Sequence, residues 1–288
     1  MSRISKSKGK LRFALLAVVI LLLVFCTACD NADQPTENAN QYGVSVHFID
    51  VGQGDSIFIG LPDNKSMLID AGENTCGDTV IDYILSTGED RLDYVVATHP
   101  HSDHIGGMTK VINKFEIGTF YMPDCSHTTK TFENMLDALI QNQVDTQIAR
   151  KGVTICNDGN VKIEILSPAA NTFDDLNNYS AVVKLTYGDV SYLFTGDAET
   201  DAENLITDDV SADVLKVGHH GSATSTGMAF LKRVNPQIAV ISSGADNSYG
   251  HPDFKVVQRL ENYGVKIFRT DTDGTVIIST DGKDIYRE

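Results

Sequence analysis

The sequence has no tryptophan, only five cysteines and few basic residues. Beyond residue 29 the cysteines are Cys76, Cys125 and Cys156, and their spacing matches no zinc-finger or CxxC pattern. Three cysteines cannot all pair within one chain. We therefore expect core or incidental cysteines, with room for one disulfide in an exported protein.

Basic residues are outnumbered: 23 Lys and Arg face 39 Asp and Glu, a formal charge of −16. Five of the basic residues precede residue 13, so the rest of the chain has 18 against 39, a formal charge of −21. A body this acidic does not favour nucleic-acid binding through bulk electrostatics. Any phosphate chemistry would depend on metal ions and a local basic patch.

Residues 1–28 have the pattern of a bacterial export signal, in which a basic start precedes the 13-residue apolar run 13–25. The ending Thr27-Ala28-Cys29 resembles the lipobox of bacterial lipoproteins, so we predict lipidation of Cys29, although Cys26 stands where leucine is usual. The alternative is an uncleaved membrane anchor, for which 13 apolar residues are short. Both place the body outside the cytoplasmic membrane. Polar residues 29–42 then form a flexible tether to a single domain at residues 43–288.

Four metal-capable side chains lie within six residues, directly after the apolar run 92–97, which predicts a buried strand. His99 and His101 alternate, so both can face one ion from an extended segment. Asp103 and His104 follow at the start of the next helix and can face a second ion. Imidazole and carboxylate suit zinc, iron or manganese, and the lack of thiolates argues against a closed structural zinc site. A polar loop with a chance cluster of histidines is the structural alternative.

Asp197 ends a strongly apolar strand and follows Gly196. A carboxylate in that position can bridge two metal ions with one oxygen each. It can also be a helix N-cap for the segment that begins at Glu199. The histidine cluster favours the bridging ligand.

His219 and His220 follow the strand 214–217. Adjacent side chains leave an extended backbone in opposite directions, so we expect one of the two to be a ligand and the other to bind substrate or donate a proton. The sequence leaves open which is which, as well as a purely structural pair. His251, in the loop 247–252, is a candidate general acid or further ligand, with an exposed loop histidine as the alternative.

Three aspartates are placed to support ligands. Asp70 ends a strand and can hold a ligand histidine through its second ring nitrogen. Asp50 and Asp55 flank a glycine turn and can act similarly. His47, inside a strand, and His127, in a polar loop, are interpreted as structural.

The order of elements predicts an α/β domain with two packed sheets. A strand meander over residues 44–70 is followed by helices alternating with strands, and a second meander over 179–197 is followed in the same way. Two sheets face to face with helices outside fit this repetition. No linker interrupts residues 43–288.

The pattern His-x-His-x-Asp-His resembles the signature of the metallo-β-lactamase superfamily, where it lies between the sheets of a four-layer αββα sandwich. Six stretches in one order look like the extracellular metallo-β-lactamase-type domain of the ComEC competence proteins, which take up DNA. These stretches, within roughly residues 43–280, are 47–56, 68–72, 98–107, 193–199, 214–222 and 249–252.

The resemblance implies a surface-anchored phosphodiesterase, plausibly a nuclease acting on DNA, with one or two divalent ions, Zn or Mn. Asp103, His220 and His251 are the candidate catalytic residues. The candidate ligands are His99, His101, Asp103, His104, Asp197, His219 and His220.

The sequence departs from the family in two ways. It shows no counterpart of the large membrane channel, so we expect it not to move DNA by itself. The usual metal-binding histidine before Asp197 is missing, and Asn177 to Ser180 occupy its place. We expect Asn178 in a supporting role and one metal site that is weaker or completed by water.

Other functions remain open. One is a cell-wall phosphodiesterase acting on phosphorylcholine or teichoic acid, and another is a metal-binding, non-catalytic module that works with other DNA-uptake components. A β-lactamase is disfavoured by the His-His-Gly-Ser and Tyr-Gly-His-Pro stretches. Lys216, Lys232 and Arg233 could supply local positive charge, although surface solvation is the commoner fate of such residues.

Overall fold

The computed structural model describes residues 43–288, which belong to one compact unit. The predicted export signal, Cys29 and the tether lie outside the described residues. Within this part of the chain, no helix is long and apolar enough to cross a membrane. Its three cysteines, Cys76, Cys125 and Cys156, are free.

The first sheet has eight strands in the order β15-β14-β1-β2-β3-β4-β5-β6. The strands from β15 to β3 pair antiparallel, and those from β3 to β6 pair parallel. Their bounds are β1 Val44–Phe48, β2 Ile57–Leu61, β3 Lys65–Ile69, β4 Arg91–Val96, β5 Glu116–Met122, β6 Asp145–Ile148, β14 Val276–Thr280 and β15 Ile285–Arg287.

The second sheet has seven strands in the order β13-β12-β11-β10-β9-β8-β7. It repeats the plan of the first, because β7 to β10 pair antiparallel and β10 to β13 pair parallel. The bounds are β7 Val153–Asp158, β8 Val161–Ser167, β9 Val182–Tyr187, β10 Val190–Phe194, β11 Val214–Lys216, β12 Ile238–Ile241 and β13 Lys266–Arg269.

Helices cover the outer face of each sheet. Their bounds are α1 Gly77–Ser86, α2 Ser102–Ile105, α3 Met108–Lys114, α4 Lys130–Gln141, α5 Thr200–Leu205, α6 Met228–Val234, α7 Phe254–Tyr263 and α8 Thr270–Asp273, and short 3₁₀ turns span Pro62–Asn64, Leu176–Tyr179 and Gly218–Gly221.

The strands are apolar on both faces because each sheet lies between the other sheet and a helical layer. In β2, Ile57 and Ile59 belong to the core between the sheets, whereas Phe58 belongs to the core under α1, α3 and α4. A third core lies under α5, α6 and α7. The architecture is the predicted four-layer αββα sandwich.

Candidate metal centre

Three strand ends place the candidate ligands at one edge of the sandwich. β4 ends at Val96 and leads into His99, β10 ends at Phe194 and leads to Asp197, and β11 ends at Lys216 before His219. Each of these strands belongs to the parallel part of its sheet. Loops that follow such strands therefore meet at their carboxyl ends, where binding sites in α/β folds are built.

Asp197 lies at the centre of the cluster. Its carboxylate is almost completely buried and faces imidazole rings from both sheets. From Oδ2 the distances to Nε2 atoms are 3.2 Å for His104, 3.5 Å for His220, 3.6 Å for His219 and 3.9 Å for His99. One carboxylate surrounded by four imidazoles has the position expected of a bridging ligand.

A four-residue group around this carboxylate fits a divalent cation. One ligand atom from each of Asp103, His104, Asp197 and His220 lies within 4.8 Å of the others. Within the described residues, Nε2 of His104, Nε2 of His220 and Oδ1 of Asp197 are buried without a hydrogen-bond partner. Buried polar atoms left unpaired are costly, and a cation among them would remove that cost.

His99 and His101 form a second, smaller donor set. Nε2 of His99 lies 3.0 Å from Nδ1 of His101. Two ligand nitrogens about 2.1 Å from one ion are about 3.0–3.4 Å apart, so this spacing fits a shared ion. With Asp197 beside His99, this pair could hold a second ion with fewer protein ligands than the first.

Asp70, the residue that the sequence analysis proposed as a support for a ligand histidine, contacts His104. Asp70 Oδ2 lies 2.7 Å from Nδ1 of His104, and the Asp70 carboxylate also accepts hydrogen bonds from the backbone N–H and hydroxyl of Thr98. An Nδ1–H donated to Asp70 leaves the Nε2 lone pair of His104 directed at Asp197.

Of the two aspartates that flank the glycine turn, Asp55 supports the cluster and Asp50 does not. Asp50 is exposed, and its carboxylate accepts a hydrogen bond from Gly52 N, so the prediction for Asp50 is wrong. Asp55 is buried, with Oδ1 3.4 Å from Nδ1 of His220 and Oδ2 2.8 Å from Nζ of Lys216. Lys216 is fully buried behind the cluster rather than solvated or available to a substrate.

Both histidines of the His-His pair face Asp197, contrary to the expectation for an extended backbone. His219 and His220 have φ values of 49° and 52°, so the chain turns through the left-handed region at both positions. Nδ1 of His220 lies 3.0 Å from the carbonyl oxygen of Ser242, which can only accept, so Nδ1 carries a proton and Nε2 is the nitrogen left to bind a cation. Nδ1 of His219 lies 3.3 Å from Glu199. The geometry favours His220 as a ligand, with His219 at the rim.

Without an ion, charge within the cluster is balanced by protons. Burial disfavours the charged form of His104, but the surrounding carboxylates, Asp197 most of all, raise its pKa well above the usual value. The pKa of His220 is raised for the same reasons. Burial alone would raise the pKa of Asp197, but His104 and His220 hold it well below its usual range. A divalent cation would replace these protons, as ligand deprotonation requires.

A pocket of about 350 Å³ opens over the cluster. Asp103, Asp197, His219 and His220 form part of its wall, and the others are Gln53, His101, Ser102, His127, Thr129, Asn177, Tyr249 and His251. The His251 ring lies 5.5 Å from that of His219. The His127 ring lies 6.0 Å from that of His101, so His127 lines the pocket although it was interpreted as structural. His47 is not among the residues that line the pocket, and it is hydrogen-bonded to Tyr83 and Ser45.

Comparison with known proteins defines the family. The profile of the metallo-β-lactamase superfamily matches residues 49–245. This chain belongs to that superfamily. YhfI, a metallo-β-lactamase fold protein from Bacillus subtilis, shares the fold with a TM-score of 0.52 and 12% identity, over 85% of this chain and 100% of that one.

Curated relatives connect this member of the superfamily to competence proteins. ComE operon protein 3 of Bacillus subtilis (strain 168) is 32% identical over 251 residues, which are 80% of this chain and 32% of that protein. Competence protein ComA of Neisseria gonorrhoeae is 31% identical over 233 residues, 79% of this chain and 31% of that protein. The chain spans about a third of the length of these relatives. The resemblance inferred from the sequence motifs is confirmed.

The segment Asn177 to Ser180 packs beside Asp197 and hydrogen-bonds to the backbone around it. Ser180 Oγ accepts a hydrogen bond from Asp197 N and lies 3.4 Å from Nδ1 of His99. Asn178 Oδ1 accepts hydrogen bonds from Glu199 N and Ala202 N, which holds the start of α5 just after Asp197. Asn178 therefore acts on the backbone around Asp197 and contacts no candidate ligand side chain.

Proposed function

We propose that this protein is a metal-dependent phosphodiesterase, specifically a nuclease, that works outside the cytoplasmic membrane and is held there by its N-terminal segment. The observation that carries the proposal is the Asp197 carboxylate, with an imidazole cluster and Asp103 around it at the floor of an open pocket. Imidazole and carboxylate donors in an open site suit hydrolysis better than structural metal binding.

The two groups of donor residues described above would each hold one ion. His104, His220, Asp103 and Asp197 would hold one ion, Zn or Mn, and His99 and His101 would share Asp197 with a second. When bound, divalent ions supply Lewis-acid chemistry: they lower the pKa of water and stabilise charge that develops on a phosphoryl group.

The residues of the chain fix the geometry around that chemistry. Asp70 fixes the ring of His104, and the Ser242 carbonyl fixes that of His220, so both Nε2 atoms point at the cluster. Burial and the neighbouring His219 lower the pKa of His251, which favours its neutral form. A neutral imidazole can donate an N–H hydrogen bond to the leaving oxygen of a substrate.

The relatives support nucleic acid as the substrate, because two of them are named as a competence protein and as a ComE operon protein. The third is named Recombination protein 2 of Haemophilus influenzae. Envelope location, lipidation of Cys29 and association with other DNA-uptake components are parts of the same proposal.

The test uses the full-length protein with Zn²⁺ or Mn²⁺ and labelled single- and double-stranded DNA. We expect cleavage that requires the ion and is lost in the Asp103→Asn variant. Asp50→Asn is the matched control, because it removes a carboxylate from a neighbouring turn that lies outside the cluster. Cleavage that survives Asp103→Asn would refute the assigned site.

A second substrate separates the other functions. Hydrolysis of bis-p-nitrophenyl phosphate without cleavage of DNA would point to a cell-wall phosphodiester such as teichoic acid. Bound metal without hydrolysis of either substrate would point to a non-catalytic module.

A further inference from the structure

An exposed aromatic ring stands at the mouth of the pocket. Tyr249 lines the pocket, yet its side chain is 67% exposed. Its ring stacks on that of His251, with centroids 5.8 Å apart and planes 20° apart. This offset-stacked geometry leaves the other face of the phenol ring open to solvent beside the cluster.

The loop that presents this ring is held in one conformation by Asn247. Nδ2 of Asn247 donates to the carbonyl oxygens of Gly244 and His251, and Oδ1 accepts from the backbone N–H groups of Tyr249 and His251. Gly244 N in turn donates to the side chain of Gln53, another pocket residue. The aromatic ring is thus held ready before a ligand arrives, which lowers the entropic cost of binding.

The pocket needs such a contact because no Lys or Arg is among its lining residues. Its walls offer carboxylates, imidazoles and amides, and the chain as a whole carries a formal charge of −16. Ions bound in the cluster can attract one phosphodiester group, but the described lining has no Lys or Arg to attract the flanking phosphates of a polyanion. Stacking of a planar group on an exposed aromatic ring adds affinity without requiring positive charge.

We propose that Tyr249 is a substrate-selecting residue, on which the nucleobase next to the phosphodiester in the pocket stacks. The inference rests on the phosphodiesterase function proposed above and restricts its substrate to chains that carry planar rings. Phe254 provides a comparison, since it is 72% exposed and lies five residues later, but it is not part of the pocket lining.

The first experiment measures kcat/KM of the Zn²⁺-loaded full-length protein on a single-stranded oligonucleotide and on one of equal length made of abasic tetrahydrofuran units. We expect Tyr249→Leu to lower kcat/KM on the base-containing strand about 5-fold to 150-fold and to leave the abasic strand unchanged. Tyr249→Phe keeps the ring and should keep the wild-type preference. Phe254→Leu should change neither strand.

Failure of the role proposed for Tyr249 can be distinguished from failure of the proposed phosphodiesterase function. Equal wild-type rates on the two strands, or an equal loss on both in Tyr249→Leu, would overturn the role of Tyr249 while leaving the phosphodiesterase function in place. If neither strand is cleaved, the proposed function fails, and binding alone decides the role of Tyr249.

Binding can be measured because the sequence contains no tryptophan. The Tyr249→Trp variant places a single indole at the pocket mouth, and a base stacked on it should quench its fluorescence within seconds of mixing. We expect quenching by the base-containing strand and none by the abasic strand, with no quenching in Phe254→Trp. Equal quenching by both strands, or none by either, would overturn the proposal.

Discussion

The buried ion pair behind the cluster gives the sharpest stability prediction. Lys216 and Asp55 are both almost completely inaccessible, and Nζ lies 2.8 Å from Oδ2. Replacing one partner of a buried pair leaves the other charge without compensation, which costs about 3–5 kcal/mol. For a domain of this size, about 2–4 °C of Tm is lost per kcal/mol, so Lys216→Met should lower the Tm by about 6–20 °C.

The measurement is thermal unfolding followed by far-UV circular dichroism, in EDTA so that bound metal does not add stability. Burial alone would raise the pKa of Asp55, but Lys216, helped by His220, lowers it to about 2. The stabilising charge is therefore fully present above about pH 4 and is lost as the pH falls through 2, so pH 7 is a suitable condition. The double variant Lys216→Met/Asp55→Leu should regain most of the lost Tm, because no unpaired charge remains.

A surface pair of the same length is the control. Nζ of Lys65 lies 2.8 Å from Oδ2 of Asp158, but both side chains are partly exposed. Exposed pairs contribute little, so Lys65→Met should leave the Tm unchanged within error. A Lys216→Met shift as small as that of Lys65→Met, or a double variant no more stable than the single one, would refute the reasoning.

Three further predictions concern pH, packing and metal. Burial lowers the pKa of His47 to about 4, so its contribution to stability is fully present above about pH 6.5 and is lost as the pH falls through 4. Urea titrations at pH 7 and pH 4 should therefore show a fall in the free energy of unfolding that is about 3 kcal/mol smaller in His47→Gln than in the wild type. Gly54→Ala would place its Cβ on the carbonyl oxygen of Asp103 and should weaken Zn²⁺ binding in calorimetry, unlike Gly264→Ala, whose Cβ meets nothing. Equilibrium dialysis should find two Zn²⁺ per chain and one in Asp103→Asn; two in the variant would contradict the assignment of Asp103.

Structural features that depend on residues adjacent in the sequence were predictable. An apolar run that ends in the His99-to-His104 cluster predicts a buried strand directly before the cluster, and β4 is that strand. Asp70, at the end of the neighbouring strand β3, lies within hydrogen-bond distance of His104 because β3 and β4 pair side by side. The repeated order of meanders and alternating elements likewise predicted both sheets, since it depends on local periodicity alone.

Features set by distant partners were not predictable. Asp50 and Asp55 flank the same turn, but the Asp55 side chain turns inward, where Lys216 and His220 from the other sheet lie beside it. The sequence analysis favoured a solvent-exposed Lys216, because lysine is rarely buried without a partner of opposite charge. That partner, Asp55, lies 161 residues earlier in the chain.

Backbone conformation explains the outcome for the histidine pair. In an extended chain the side chains of His219 and His220 would point in opposite directions. In the structure both residues have positive φ, and Gly221 follows them with a φ of 81°. Such conformations cost free energy in residues with a Cβ, and they persist where the surroundings fix them. Two contacts provide that restraint: the Ser242 carbonyl accepts from the His220 ring, and Oε1 of Glu199 lies 3.3 Å from Nδ1 of His219. Neither Ser242 nor Glu199 is close to the pair in sequence.

Charge balance is the strongest physical reason for two ions. With all imidazoles neutral, Asp70, Asp103, Asp197 and Glu199 leave a charge of −4 around the cluster, because Asp55 is neutralised by Lys216. One divalent ion would leave −2, which repels a phosphodiester, whereas two would leave no net charge and remove that repulsion. The pocket lining contains no Lys or Arg to offset the negative charge. For the proposed phosphodiesterase, the His99 and His101 pair therefore matters beyond its own donor atoms, because a second ion held there would remove the repulsion between the cluster and a phosphodiester.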